Sequence, residues 1–288
     1  MKKTVLMITA VMALTAVMAD EVDRSQLIPK IGLGPSHVSA SPDTMFTEEG
    51  LKQWEKTRAS IDFFKINWKH MDPTKHNTRY PRPKLTPELL VSAMKSMPNV
   101  TIGAEYSEMY YVLDQKELGL AMAHQLINEF KPLTDVGGRI DSLHMDGAFR
   151  VMIGAIYNTD PRPEMEAKKD AFKRLTIEEA YQQMIIFTTE IKRVWPHCKV
   201  GWTANLPNWH YSKEYDYSDH GGYTRKLGGI YFKDLLEGYV RALKKEGMNL
   251  DFLEVDYPHK WYIKNERNGA KFRDLQAWCS RNKVTYHH

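Results

Sequence analysis

The sequence alternates short apolar segments with amphipathic segments along most of its length, and this alternation limits the fold more than any other feature. Each apolar segment has the length of a strand, and the segment after it repeats its apolar residues with the period of a helix. Strands separated by helices lie parallel in one sheet, because a parallel pair needs a crossover between its members. Seven strands are predicted, at residues 31–36, 61–68, 100–106, 140–146, 199–205, 250–256 and 284–287.

Six helices are predicted between these strands, at residues 47–60, 86–97, 116–130, 176–195, 231–246 and 269–281. Thr47, Thr86 and Thr176 are suited to helix N-termini, because a threonine oxygen can accept from free backbone amides and acidic residues follow each of them. Three prolines predict where helices end, at Pro98, Pro132 and Pro196.

Strict alternation of this kind predicts an α/β fold, a (β/α)8 (TIM) barrel truncated after strand 7. A doubly wound open sheet is the alternative. The barrel is favoured because Gly32 and Gly34 lead into Pro35 instead of a glycine-rich phosphate loop. Polar residues also recur at the ends of most strands and do not concentrate at one crevice.

The first 19 residues have the pattern of a secretory signal peptide. Lys2 and Lys3 precede an apolar run, and small residues before position 20 suit a signal peptidase. The run is short for a membrane anchor, which is the alternative. We therefore expect one barrel domain at residues 20–288 in a secreted or periplasmic protein, with no membrane partner after signal cleavage.

Charge and cysteine content narrow the functional class. The formal charge of +4 falls to +2 once Lys2 and Lys3 are removed, which does not favour nucleic acid as a partner. Two cysteines are too few for a disulfide scaffold. Cys279 shares the apolar face of its predicted helix with Phe272 and Leu275, so Cys198 and Cys279 are expected to be buried free thiols.

One face of the predicted strands is polar near their C-terminal ends. Side chains alternate between two faces along a strand, so Ser142, His144 and Asp146 point the same way, and Gly147 allows a sharp turn after them. The other strands contribute Lys65, Asn67, Glu105, Asn205, Glu254, Asp256 and His287 to the same inner face. Such groups are costly to bury unpaired, so they should form a network where barrel enzymes place their active sites.

The loops after these strands are rich in aromatic residues, whose faces can stack on sugar rings. This composition predicts an oligosaccharide or polysaccharide as the substrate and calls for no cofactor. The residues predicted to bind it are Lys65, Asn67, His144, Asn205, Trp68, Tyr106, Trp209, His210, Tyr257, His259, Trp261 and His287.

Glycoside cleavage needs two carboxyl groups, one to donate a proton and one to act as nucleophile or base. Asp146 on strand 4 is one candidate, and either Glu254 or Asp256 on strand 6 is the other. Glu105 is a substitute acid, and Lys65 could balance the charge of an ionised partner.

The segment from Ile140 to Gly147 resembles strand 4 of α-galactosidase-like barrel glycosidases. The resemblance implies that Asp146 is the nucleophile and Asp256 the acid/base, since that group has an aspartate at the end of strand 4 and a second acid after strand 6. The chain departs from barrels with catalytic glutamates on strands 4 and 7, because strand 4 ends in aspartate and strand 7 in histidine.

Three other functions fit parts of the pattern. A metal-dependent hydrolase or isomerase could use scattered candidate ligands, although no pair has a diagnostic spacing. These ligands would be His37, His144, Asp146, His210, Asp256, His259 and His287. A degenerate barrel could bind sugar without cleaving it. A polysaccharide lyase could use Lys65, His144 or a tyrosine as its base.

Overall fold

The computed structural model describes residues 32–34, 45–67, 86–106, 117–153, 175–206, 209–215, 230–256 and 266–287. The predicted signal peptide, residues 1–19, lies outside these ranges.

Seven strands form one sheet in sequence order, and every neighbouring pair is parallel. The strands are β1 Gly32–Leu33, β2 Phe63–Asn67, β3 Thr101–Tyr106, β4 Ser142–Asp146, β5 Lys199–Asn205, β6 Phe252–Asp256 and β7 Thr285–His287. For β2 to β7, the predicted boundaries agree with the observed ones to within two residues wherever both are described. The prediction of a parallel barrel wall up to strand 7 is confirmed.

The sheet is strongly curled. Strands β2 and β6 are four positions apart in the sheet, a separation of roughly 19 Å if the sheet were flat. Yet Lys65 of β2 reaches Glu254 of β6 with 3.0 Å between Nζ and Oε1. The rings of Phe63 on β2 and His287 on β7 are also only 6.1 Å apart. The inner faces of these strands therefore converge on one interior, as in a barrel.

Helices connect the strands and form the outer layer. They are α1 Glu48–Gln53, α2 Glu55–Ser60, α3 Pro87–Lys95, α4 Leu118–Asp135, α5 Ala148–Met152, α6 Ile177–Val194, α7 Phe232–Lys245 and α8 Glu266–Asn282. All three predicted threonine caps are present, and Thr176 forms a full capping box with Glu179. The first predicted helix is in fact two, because the backbone leaves helical geometry at Trp54.

The prediction that Pro132 ends its helix is wrong. Helix α4 continues to Asp135 with Pro132 in its last turn. A proline inside a helix removes one backbone hydrogen bond and crowds the carbonyl four residues earlier, which destabilises the helix without always ending it. Here the next residue, Leu133, is fully buried, and its packing favours the last turn. The chain leaves the helix at Gly137, which has a left-handed φ of 88°, and the amides of Gly137 and Gly138 bond back to Thr134 and Leu133. Glycine favours such a stop because it has no Cβ.

Strand β4 ends in the predicted turn. Gly147 follows Asp146 with a φ of 70°, so a residue with a side chain would be strained there. The short helix α5, which the sequence pattern did not predict, begins at the next residue. Asp146 therefore lies at the last position of a strand, just before the chain turns away from the barrel.

The two faces of the sheet differ as the alternation predicts. The side chains assigned to the outer face are all at most 4% exposed and belong to the core between strands and helices. They are Phe64, Ile66, Ile102, Ala104, Leu143, Met145, Leu253 and Val255. The predicted phase of these strands is therefore confirmed.

A layer of rings fills the interior below the polar groups. The imidazole of His144 stacks on Phe63 at 5.6 Å and lies 4.6 Å from Phe252, whose ring stacks on His287 at 5.0 Å. Neighbouring strands present glycines to these rings. A Cβ on Gly201 would lie 2.2 Å from the Phe252 ring, and one on Gly103 would lie 2.8 Å from His144. Large rings and glycines thus alternate from strand to strand to fill the barrel floor.

We expect Gly201→Ala to lower the free energy of unfolding by about 1 to 3 kcal/mol, because the packed Phe252 ring cannot move away from the new methyl group. Urea unfolding measures the effect. Gly34→Ala is the matched control, since its Cβ would meet Lys65 at an ordinary 3.6 Å. Equal unfolding free energies for the two variants would contradict this account of the floor.

The two thiols are buried and neither belongs to a disulfide, as expected. Burial raises the pKa of both Cys198 and Cys279 to about 12, so both are protonated and poorly reactive at neutral pH. None of the helices in the described ranges has the length and apolar character needed to span a membrane.

Candidate active site

A bridging lysine organises the polar interior. The Nζ atom of Lys65 lies 3.0 Å from Glu105 Oε2 and 3.0 Å from Glu254 Oε1, so these two oxygens are at most about 6 Å apart. The three side chains come from β2, β3 and β6 and are between 16% and 29% exposed. An ion pair with this little exposure is weakly screened by water.

Glu254 accepts hydrogen bonds from three strands. Besides Lys65, the hydroxyl of Thr203 donates to Oε2 at 2.7 Å, and His144 Nδ1 lies 2.8 Å from the same oxygen. Burial alone would raise the pKa of Glu254, but the hydrogen bond and charge of His144, the charge of Lys65 and the Thr203 hydroxyl outweigh it. The pKa of Glu254 is therefore held far below its usual range, and this carboxylate is ionised at neutral pH and in mild acid.

Lys65 is fixed in its charged form. Burial would lower its pKa, but the charges of Glu254 and Glu105 and their hydrogen bonds raise it overall. A lysine that forms a Schiff base needs a lowered pKa, because only the neutral amine is nucleophilic. Lys65 is accordingly suited to holding carboxylates in place and not to nucleophilic attack.

His144 is enclosed at the bottom of this cluster. Its ring is 1% exposed, Nδ1 faces Glu254, and Nε2 lies 3.1 Å from the hydroxyl of Ser142. Both ring nitrogens therefore have protein partners. The predicted role of His144 in direct substrate binding is not supported by this position, because the side chain has no exposed face.

Asp146 and Asp256 lie closer to the mouth of the barrel. Asp256 is two residues beyond Glu254 on the same face of β6, about 7 Å nearer the C-terminal end. It is exposed, and the amide of Asn205 donates to its Oδ2 at 3.2 Å. Asp146 ends β4, is half-buried, and pairs in register with Thr203. Asn67 ends β2 in register with Glu105, so it also faces the mouth.

Two residues predicted to bind substrate lie in the outer core instead. Tyr106 is fully buried, stacks on Phe187 of α6 and donates its hydroxyl to Gln125 of α4. It follows Glu105 directly, so the alternation that turns Glu105 inward turns Tyr106 outward. Trp209 is 4% exposed. Its ring contacts Trp202 and Phe232. The predictions for Tyr106 and Trp209 are corrected.

The remaining predicted residues fall into two groups. His287 is half-buried and belongs to the ring layer of the floor, and His210 is half-buried next to Tyr231. Four predicted substrate contacts lie outside the described residues, namely Trp68, Tyr257, His259 and Trp261.

The sequence interpretation missed several interior groups that touch the cluster. Thr203 lies two residues before Asn205 on β5, and Phe252 lies two residues before Glu254 on β6. The same alternation could have identified both, because every second residue of a strand shares a face. Thr203 and Phe252 each lie one inward position before a predicted residue, Asn205 and Glu254 respectively.

Metal coordination has little support in the part of the chain that the structure describes. Within it, no group of three histidine, cysteine, aspartate or glutamate side chains is arranged to hold a metal ion. His144, one of the predicted alternative ligands, has both nitrogens occupied by Glu254 and Ser142. His37 and His259 lie outside the described residues.

The buried carboxylate predicts an acid-dependent loss of stability. The unfolded chain takes up a proton on Glu254 near pH 4.5, whereas the folded chain does not, so acid favours unfolding. Below that pH, the stability difference between wild type and Glu254→Gln should shrink by up to about 1.4 kcal/mol per pH unit. Urea unfolding from pH 7 to pH 3.5 measures it. Glu246→Gln, at the exposed C-terminal cap of α7, is the control, and parallel curves for all three proteins would contradict the prediction.

Comparisons with known proteins give a likeness of fold only. No family model matches the sequence, and no curated protein sequence matches it. Among solved structures, a β-glycosidase from Pyrococcus horikoshii is 10% identical with a TM-score of 0.38, covering 75% of this chain and 52% of its own. A β-1,4-D-mannanase from Cryptopygus antarcticus is 13% identical with a TM-score of 0.38, covering 78% and 66%. QR15, an aldolase, is 12% identical with a TM-score of 0.37, covering 81% and 68%.

The chain thus spans about half the length of that β-glycosidase. At such TM-scores the likeness carries no argument about function, so no family is assigned.

Proposed function

We propose that the protein is a secreted enzyme that hydrolyses glycosidic bonds of an oligosaccharide or polysaccharide. The observation that carries the proposal is the set of carboxyl groups on the inner face of β3, β4 and β6. One of them, Glu254, is kept ionised by Lys65, His144 and Thr203. Glycoside hydrolysis requires carboxyl groups in different protonation states at one place.

The reacting pair is proposed to be Asp146 and Asp256. Glu254 is unsuited to proton donation because three donors stabilise its ionised form. Glu105 would have to give up its ion pair with Lys65 in order to carry a proton. Asp256 is exposed and lies at the mouth, where a leaving-group oxygen could reach it, so it is proposed as the acid/base. Asp146 is then the nucleophile, as the strand-4 resemblance implies.

The positions of Lys65 and His144 favour hydrolysis over elimination by a lyase. A lyase acting on uronates needs a cation to neutralise the substrate carboxylate and a base to remove a proton. Lys65 already serves two protein carboxylates, and His144 is buried. Neither side chain is placed to act as that base.

The test is an activity survey of the mature protein. Soluble polysaccharides and 4-nitrophenyl glycosides of common hexoses and pentoses would be incubated with the enzyme, and reducing ends or nitrophenolate measured. We expect turnover of at least one class, unchanged by a chelator. Binding without turnover would favour a non-catalytic sugar-binding barrel. Product absorbing as an unsaturated uronate would favour a lyase, and loss of activity on chelation would favour a metal enzyme.

A further inference from the structure

The carboxylate of Glu254 is held on both of its oxygens. Lys65 binds Oε1 at 3.0 Å, while Thr203 at 2.7 Å and His144 at 2.8 Å bind Oε2. The three donors come from three different strands, β2, β5 and β4. Rotation of the carboxylate about its last bond would break at least one of these bonds. The side chain is therefore fixed in direction as well as in position.

Ser142 extends this network beneath His144. A carboxylate can only accept hydrogen bonds, so His144 Nδ1 must carry the proton that Glu254 receives. The other nitrogen, Nε2, lies 3.1 Å from the Ser142 hydroxyl, which can serve as donor or acceptor. The imidazole also stacks on Phe63 and lies 4.6 Å from Phe252, whose ring is tilted by 51°. Ser142 therefore fixes the orientation in which His144 presents its Nδ1 proton.

The order of hydroxyl, imidazole and carboxylate matches that of a hydrolytic triad, but the surroundings do not. Ser142 is 5% exposed and His144 is 1% exposed. A Cβ at Gly103 would lie 3.1 Å from the Ser142 hydroxyl and 2.8 Å from His144 Nε2, so β3 closes the space next to both groups. A nucleophile needs room for the reacting atom about 3 Å away. Ser142 is thus placed to act through His144 and not on a substrate.

We infer that Thr203 and Ser142 are positioning residues that hold Glu254 as a fixed anion beneath the reacting bond. Thr203 acts on Glu254 directly, and Ser142 acts through His144. The inference rests on the proposed function, because the reacting bond is the glycosidic bond named there. Glu254 supplies negative charge at a constant place, and proton transfer falls to the acids nearer the mouth. Among the described residues, the charged or titratable groups on the inner face around Glu254 are Lys65 on β2, Glu105 on β3, His144 and Asp146 on β4, Asp256 on β6 and His287 on β7.

The test follows the ionisation of Glu254 directly by its ¹³C carboxyl resonance in an acid titration. In the wild type this resonance should show no titration down to about pH 3.5. Where a midpoint lies below that pH, its shift between variants is obtained from the part of the loss in unfolding free energy at pH 7 that disappears in the Glu254→Gln background. Thr203→Val keeps the shape and removes the hydroxyl, and should raise the Glu254 midpoint by about one pH unit or more. Thr203→Ser keeps the hydroxyl and should match the wild type. Ser142→Ala should shift the midpoint in the same direction by a smaller amount.

An unchanged midpoint in Thr203→Val, or equal midpoints in the valine and serine variants, would overturn the inference. If Thr203→Val fails to fold, Ser142→Ala decides the question alone. An unchanged Glu254 midpoint in Ser142→Ala would then overturn the inference. The titration uses no substrate, so absence of glycosidase activity would count against the proposed function only. Where an activity is found, Thr203→Val should lower kcat several-fold with little change in KM, while Thr203→Ser restores it.

Discussion

Asp256→Asn is expected to lower kcat on a glycan substrate by about 10³-fold, because an amide cannot donate the proton that the leaving oxygen needs. The loss should be much smaller on a 4-nitrophenyl glycoside, since nitrophenolate leaves without protonation. The basic limb of the pH–rate profile should also disappear. Steady-state kinetics on the two substrates and across pH measure these effects.

Asp146→Asn provides the contrast to this result. A nucleophile is needed whatever the leaving group, so the loss should reach about 10⁴-fold on both substrates. Glu246→Gln, exposed and remote, should leave both rates unchanged. If Asp256→Asn loses activity equally on both substrates, Asp256 is not the proton donor. Retained turnover in Asp146→Asn would remove that residue from the proposed mechanism.

Lys65→Met is expected to lower the free energy of unfolding by about 2 to 4 kcal/mol at pH 7. The substitution removes the cation between Glu105 and Glu254 and leaves two partly buried carboxylates within about 6 Å of each other. The loss should shrink as the pH falls, because protonation of a carboxylate relieves their repulsion. Urea unfolding at pH 7 and pH 5 measures both effects.

The control for this prediction is an ion pair on the surface. On α4, Lys131 Nζ lies only 2.6 Å from Asp135 Oδ1, but the two side chains are 61% and 56% exposed. Lys131→Met should therefore change stability by no more than about 0.5 kcal/mol. Similar losses of unfolding free energy in Lys65→Met and Lys131→Met would show that the interior bridge stabilises the fold no more than an exposed ion pair does. Adding Glu105→Gln to Lys65→Met should recover part of the stability, since it removes one of the repelling charges.

Much of the barrel could be predicted from the sequence because its strands obey a simple alternation. Lys65, Glu105 and Glu254 were assigned to the inner face from that rule, and the structure brings them into contact. The rule could not give their partners. Lys65 and Glu254 are 189 residues apart in the chain, and only the curvature of the sheet brings their strands face to face.

The predictions for Tyr106, Trp209 and Pro132 were wrong because local sequence does not specify the tertiary contacts of these residues. Tyr106 and Trp209 were interpreted as loop aromatics that stack on sugar, but aromatic composition carries no direction. Whether such a ring faces the mouth or the helices depends on its phase and on the space that the outer layer offers. Tyr106 finds that space next to Phe187, and Trp209 finds it between Trp202 and Phe232. Pro132 does not end α4, because packing of the last turn, in which Leu133 is fully buried, outweighs the hydrogen bond that the proline removes.

The cross-strand bonds of Glu254 also bear on how the chain reaches its native state. Partners on β2, β4 and β5 belong to separate strand–helix units, so none of these bonds can form within a single unit. Contacts between residues far apart in sequence form slowly, because a long loop must close first. Until β2 faces β6, Glu254 and Lys65 remain hydrated as separate ions. We therefore expect this cluster to assemble late in folding, when the wall curls and water leaves its interior.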